Sequence, residues 1–380
     1  MSGDNNPKIK NAKLLSLIIL LVVIVIVIIV AITLIFGSGS TLFAQRSPVI
    51  TVNELNFDIG RDRMFARMND SIAAVGTLGI QVLDTGGRET LRDPFRMTRP
   101  ALSGHGNRSI AFDIGGLNVR VFDTTQVIAS VETEGPIVSA SINQNGWFCV
   151  VTHEGGGIRG TVTVYNNTGD RVYRVDMRTG FVLSSVLSPD NKNLAILNLI
   201  DSGSRITFYH GIDTPDDPYN QFDLPDGLII DIKYLSNNDI LAVSTDYLFL
   251  VDSSGESKSI YPYSDNRLGS YTYDGDFIAL HLYDYGIGHR GRLVTLLTDG
   301  TVLGELAIDR EILSISSAGN SLVVLKNDGV TFYNNELEQL SASLDNLSVA
   351  GTIHVLAFNE DTAVATSDNS AVVIRKEEER

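Results

Sequence analysis

Ser188-Pro189-Asp190-Asn191-Lys192-Asn193-Leu194-Ala195-Ile196-Leu197 joins a polar turn to a short apolar run. Pro presets one backbone angle of a turn, Asp and Asn bond their own backbone, and the apolar run has strand length. The unit returns in degraded form along the chain, where a polar or Gly-containing turn precedes an apolar anchor. The anchors are Ile72, Ile110, Phe148, Leu194, Leu241, Ile278, Leu322 and Val364. Their seven intervals average roughly 42 residues, the length of a four-stranded propeller blade. A second signature follows in most copies, a strand running into an Asp/Asn/Gly turn. Val82-Leu83-Asp84-Thr85-Gly86-Gly87, Val164-Tyr165-Asn166-Asn167-Thr168-Gly169 and Val251-Asp252-Ser253-Ser254-Gly255 are examples. Two turns per repeat, with period-2 apolar runs between them, describe an antiparallel meander. The sequence therefore predicts an all-β chain with a single β-propeller of eight blades; seven is the alternative if the second or eighth copy is misread. A β-sandwich is the competing fold, but sandwiches rarely keep one period through eight copies.

A repeat array removes the need to divide 380 residues into several domains. The apolar fraction, 43%, is ample for a core, and 34 Gly with ten Pro supply turns. Formal charge is −16; residues 1–13 carry three Lys against one Asp, leaving −18 on the remainder. An acidic surface excludes nucleic acid as a partner, because phosphate binding needs a basic face. The single cysteine, Cys149, sits in the apolar run Trp147-Phe148-Cys149-Val150-Val151 and reads as a small core residue. With no second thiol, packing alone must hold the fold.

Residues 1–13 are short and basic. From Leu14 to Phe36 the only polar members are Ser16 and Thr33. Such a helix would reach roughly 34 Å, enough for the ~30 Å hydrocarbon core. A signal peptide has a shorter apolar region and a small-x-small cleavage site. The three lysines precede the helix, which puts the N-terminus in the cytoplasm and the rest outside. The reading is a single-pass signal-anchor protein in contact with the lipid bilayer through Leu14–Phe36. A linker (37–48), an extracellular propeller (49–376) and a charged tail (377–380) follow. Val49-Ile50-Thr51-Val52-Asn53-Glu54-Leu55 reads as a strand with no hairpin partner of its own. The eighth repeat offers only three strands, so the N-terminal strand is expected to complete the last blade and hide its edge.

The chain lacks the usual signatures of chemistry. Six histidines are scattered without metal-ligand spacing. Asp213, Asp216, Asp217, Asp223 and Asp226 lack the alternating ligand order of a Ca²⁺ loop and read as a solvated acidic loop. No Gly-rich phosphate loop or G-x-S-x-G turn is present. No catalytic residue, metal or cofactor is expected.

The Ser188-Pro189-Asp190-Asn191-Lys192 turn resembles that of the WD-repeat-like and TolB-like propellers. The strand–Asp–x–x–Gly turns resemble those of quinoprotein-type eight-bladed propellers. The layout over about residues 8–376 is similar to an uncharacterised, domain-of-unknown-function group of membrane-anchored propellers in anaerobic Gram-positive bacteria. That resemblance implies a propeller in the cell envelope and carries no catalytic residues.

Long connections fall at 153–160, 200–205 and 283–292, each between the second and third strands of its repeat. In a blade numbered from the axis outward, these share a face with the blade-to-blade connections. They supply aromatic area and positive charge on an acidic domain, so His153, Arg159, Tyr283, Tyr285, His289, Arg290 and Arg292 are the candidate partner-binding residues. The competing reading of these loops is solvated surface without a role. The expected function is a protein–protein interaction scaffold holding an unidentified envelope protein. The alternatives are a module sensing a ligand or wall polymer, or an enzyme with carboxylates at the axis.

Overall fold

The structure, a computed structural model, describes residues 49–377 apart from 154, 213–217, 276, 285, 287–289, 341–343, 346–350 and 369. Ile50–Glu377 forms one compact unit of eight four-stranded sheets. Blades 1 to 7 are meanders over 64–93, 100–132, 137–177, 181–225, 229–262, 266–308 and 312–345. The blade count is eight. Blade 8 takes three strands from Thr352–Ala357, Thr362–Ser367 and Ser370–Glu377 and its fourth, outermost strand from Val49–Asn56, as the missing edge required. The expected membrane span Leu14–Phe36 lies outside the described residues, among which no helix is long and apolar enough to cross a membrane.

The opening decapeptide shows why the sequence makes blades. Asn191 holds φ at +62°, in the left-handed region that Asn tolerates. The Ser188 hydroxyl donates to Asp190 and accepts from the Asn193 N–H at 2.9 Å, fixing the turn between the first two strands of blade 4. Asn143 and Asn145, in the equivalent turn of blade 3, donate to the Ser188 and Pro189 carbonyls at 3.0 and 2.6 Å. One turn therefore shapes its own hairpin and ties it to a neighbour. In the strand that follows, Leu194 and Ile196 pack toward blade 3 while Ala195 and Leu197 pack toward blade 5. A strand covered on both faces must be apolar at every position. Outer strands face solvent and alternate, as in Ser257–Pro262.

Eight apolar clusters each straddle one pair of neighbouring blades, including blades 8 and 1, so the core itself is a closed ring. Cys149 is fully buried in the cluster between blades 3 and 4. Burial pushes its thiol up to about 12. The thiolate is the reactive form, so the native protein should be inert to a thiol reagent at pH 8 and react once in denaturant. The protonated thiol favours the fold fully below the unfolded value near 8.5, and this contribution fades as pH rises further. Rapid labelling of native protein would contradict this burial.

The 200–205 connection is not a long loop. The paired strands Asn193–Ile200 and Gly203–His210 leave only Asp201-Ser202 as the turn. The extra residues lengthen the hairpin instead. Gly203 permits this, because a Cβ there would lie 2.2 Å from the Leu224 carbonyl oxygen and its φ is +133°.

Candidate docking face

A blade's first strand runs from the face carrying the blade-to-blade connections and second-to-third turns, here the connection face, to the opposite face. In six blades this strand carries a β-bulge at its start, between the first and third residues of a recurring triplet. The triplets are Ile137-Val138-Ser139, Val182-Leu183-Ser184, Ile229-Ile230-Asp231, Leu268-Gly269-Ser270, Ile312-Leu313-Ser314 and Thr352-Ile353-His354. A bulge sets two residues against one and re-aims a side chain. In four of the six the middle residue is an exposed apolar side chain: Ile230 is 49% accessible, Ile353 47%, Leu313 39% and Val138 36%.

Eleven of the sixteen exposed large apolar side chains among the described residues lie on this face. Besides those four, Met64, Phe181 and Leu228 stand at or just before the start of first strands. Leu78, Leu117, Leu199 and Tyr247 stand at second-to-third turns. Single exposed apolar residues are ordinary, but a ring of them on one face makes it the candidate interaction surface.

Beneath the ring, first strands bond through hydroxyls. Ser141 donates to the Ser185 carbonyl at 2.7 Å, and the Val355 and Ala357 amides donate to Ser314 and Ser316 at 3.3 and 3.0 Å. Ser139, Ser184 and Ser270 keep buried hydroxyls with no partner among the described residues. At the opposite face, Arg67 of blade 1 reaches the Asp274 carboxylate of blade 6 at 2.6 and 2.7 Å and the Ala357 carbonyl at 3.2 Å. This charged cluster sits at the inner-strand ends of that face, and Val49–Asn56 starts on the same face before residues 59–61 bond Thr77 and Leu78 on the connection face.

The anticipated loop residues do not form one site. His153 is exposed beside blade 3, its amide bonded to the Pro136 carbonyl at 3.0 Å. Arg159, also exposed, lies over the Phe181 ring at 5.1 Å and extends the apolar ring. Tyr283 and Arg290 belong to blade 6 and line a pocket of about 200 Å³ against blade 7, with Gly269, Ser270, His281, Arg310, Glu311, Ile312 and Leu313. Arg292 turns away, on the third strand of blade 6, and pairs with Glu305 at 3.3 Å. It lies on a strand rather than in a loop. Tyr285 and His289 lie outside the described residues. Burial lowers His281 to about 4, so its imidazole is neutral at pH 7. It favours the fold fully above the unfolded value near 6.5, and that contribution falls as pH drops toward 4. Replacing His281 with Phe should flatten the acid limb of stability between those values; an unchanged limb would contradict the burial.

Closed rings of eight four-stranded meanders define a β-propeller, and solved structures agree. The C-terminal WD40 domain of Sif2 aligns with a TM-score of 0.62 at 15% identity, over 87% of this chain and 99% of that one. The WD40 domain of SCAP from fission yeast aligns at 0.56 and 13%, over 86% and 98%. The Cps50 (Swd1) propeller of Myceliophteria thermophila aligns at 0.52 and 11%, over 87% and 100%. At such identities the likeness is one of fold. No curated protein matches the chain. Residues 47–349 match the family of unknown function DUF5711, and the chain belongs to that family.

Proposed function

We propose that this chain is a membrane-anchored, extracytoplasmic propeller that holds a second envelope protein on its connection face. The observation that carries the reading is the apolar ring, which gathers most of the exposed large apolar side chains on one face of an otherwise acidic domain. Aromatic and aliphatic anchors near the centre of a face supply most of the energy of protein association. The Leu14–Phe36 run and the three lysines before it support the anchor and its orientation. The strand Val49–Asn56 begins on the face opposite the ring.

Two measurements test it. Protease added to intact protoplasts should degrade the propeller; protection would reverse the orientation. Affinity capture of the full chain from cross-linked membranes should recover a protein that a ring variant fails to recover. Equal recovery by both would place the interaction elsewhere, and hydrolysis of glycans or peptides by the purified chain would favour an enzyme instead. The alternative of ligand sensing has one observation in its favour, the pocket between blades 6 and 7.

A further inference from the structure

In blade 6, Gly269 stands where four other blades expose Val, Ile or Leu. A Cβ at 269 would meet the His281 Nδ1 at 2.6 Å and the Tyr283 ring at 3.2 Å. The missing side chain lets those two rings close on the backbone, and the pocket of about 200 Å³ opens beside them. Its floor is polar. The Ser270 hydroxyl is buried without a partner among the described residues, and His281 is 9% accessible. Its walls include Tyr283, Ile312 and Leu313, with Arg290 at the rim.

We propose that this pocket receives a tyrosine side chain of the protein docked on the ring, its hydroxyl bonded by Ser270 and His281 and its ring held against Tyr283 and Leu313. This rests on the docking reading and names the chemistry of one contact. The pocket is smaller than the ~300–1,000 Å³ that takes a whole small-molecule ligand, and suits a single side chain. A hydroxyl both donates and accepts, matching a serine hydroxyl and a neutral imidazole with one donor and one acceptor nitrogen. A purely apolar side chain would leave those groups unmet, at ~1–3 kcal/mol for a buried polar group. A carboxylate would find Arg290 and Arg310 among the lining, but Arg310 is already paired with Asp328 at 3.4 Å, and Glu311 and an uncharged histidine offer it no attraction. Tyrosine combines an apolar body with a polar tip and is enriched at interface anchors.

The test needs no partner. N-acetyl-tyrosinamide, N-acetyl-phenylalaninamide, N-acetyl-aspartamide and N-acetylglucosamine are titrated into the purified full chain and followed by saturation-transfer NMR. The tyrosine probe should bind about tenfold tighter than the phenylalanine probe, the effect of one unmet buried group. Ser270→Ala and His281→Phe should each close the gap between the two aromatic probes, weakening the tyrosine probe and removing an unmet group that opposes the phenylalanine probe. Two variants guard against a folding defect in either. Equal binding of both aromatic probes, tighter binding of the aspartate or sugar probe, or insensitivity to both variants would overturn the proposal. Loss of capture in ring variants is read separately, so the docking reading can stand if this one falls.

Discussion

A chain lacking residues 49–56 is expected to lose the whole ring rather than fray at one end. Val49–Asn56 is the outermost strand of blade 8, and its removal bares the edge of Ser370–Glu377. It also removes Leu55, 2% exposed, from the cluster that blades 8 and 1 share with Phe57, Ile59, Ile72 and Val373. Truncating one buried Leu to Ala costs ~2–5 kcal/mol. A strand's hydrogen bonds and a newly exposed edge add to that, against a total stability of ~5–15 kcal/mol for an ordinary domain. Leu55→Ala alone should therefore lower stability by about 2–5 kcal/mol in denaturant titration. The deletion should abolish the cooperative transition. Because each cluster is shared by two blades, damage at one junction opens both neighbours. Melting of the deleted chain at the parent's temperature would contradict closure.

The second large effect falls on binding. Leu313 and Ile353 occupy the same bulge position in adjacent blades and stand 39% and 47% exposed. Changing both to Asp should reduce partner capture by about 100-fold or more, since central apolar anchors each carry ~2 kcal/mol or more. Their exposure predicts little change in folding, within about 1 kcal/mol for surface positions. Circular dichroism and a denaturation curve on the double variant check that separation. Capture at the parent level would remove the ring from the interface.

The sequence carried the ring and hid its apolar face, for reasons visible in particular residues. Turn chemistry repeats at fixed offsets, as in Ser188–Lys192, so blade number and the completing strand were legible. The bulges were not. Period-2 reading assigns Ile137 and Ser139 to one face of a strand and Val138 to the other, but the register shift after Ile137 breaks that alternation. The signal available was the triplet itself, two apolar residues then Ser or Asp in four blades with looser copies at 268–270 and 352–354, returning at the start of first strands. Polar composition also misled at 200–205. Ser204 is fully buried, its hydroxyl bonded to the Gly227 carbonyl at 3.0 Å and the Ile229 amide at 2.9 Å, partners more than twenty residues away. Arg292 read as a loop cation because its partner Glu305 is set by strand register, which local sequence does not display. The pocket depends on a glycine beside a histidine twelve residues on, a juxtaposition only the hairpin creates.

The most direct measurement places a photo-crosslinking amino acid on each face of the full chain in the cells that make it. Positions 313 and 353 probe the apolar ring, and position 302, whose Val is 43% exposed at the start of an outer strand, probes the opposite face. The account predicts a discrete protein adduct from 313 and 353 and none from 302. An adduct from 302 alone would contradict it and move the docking surface to the face that carries Arg67 and Asp274.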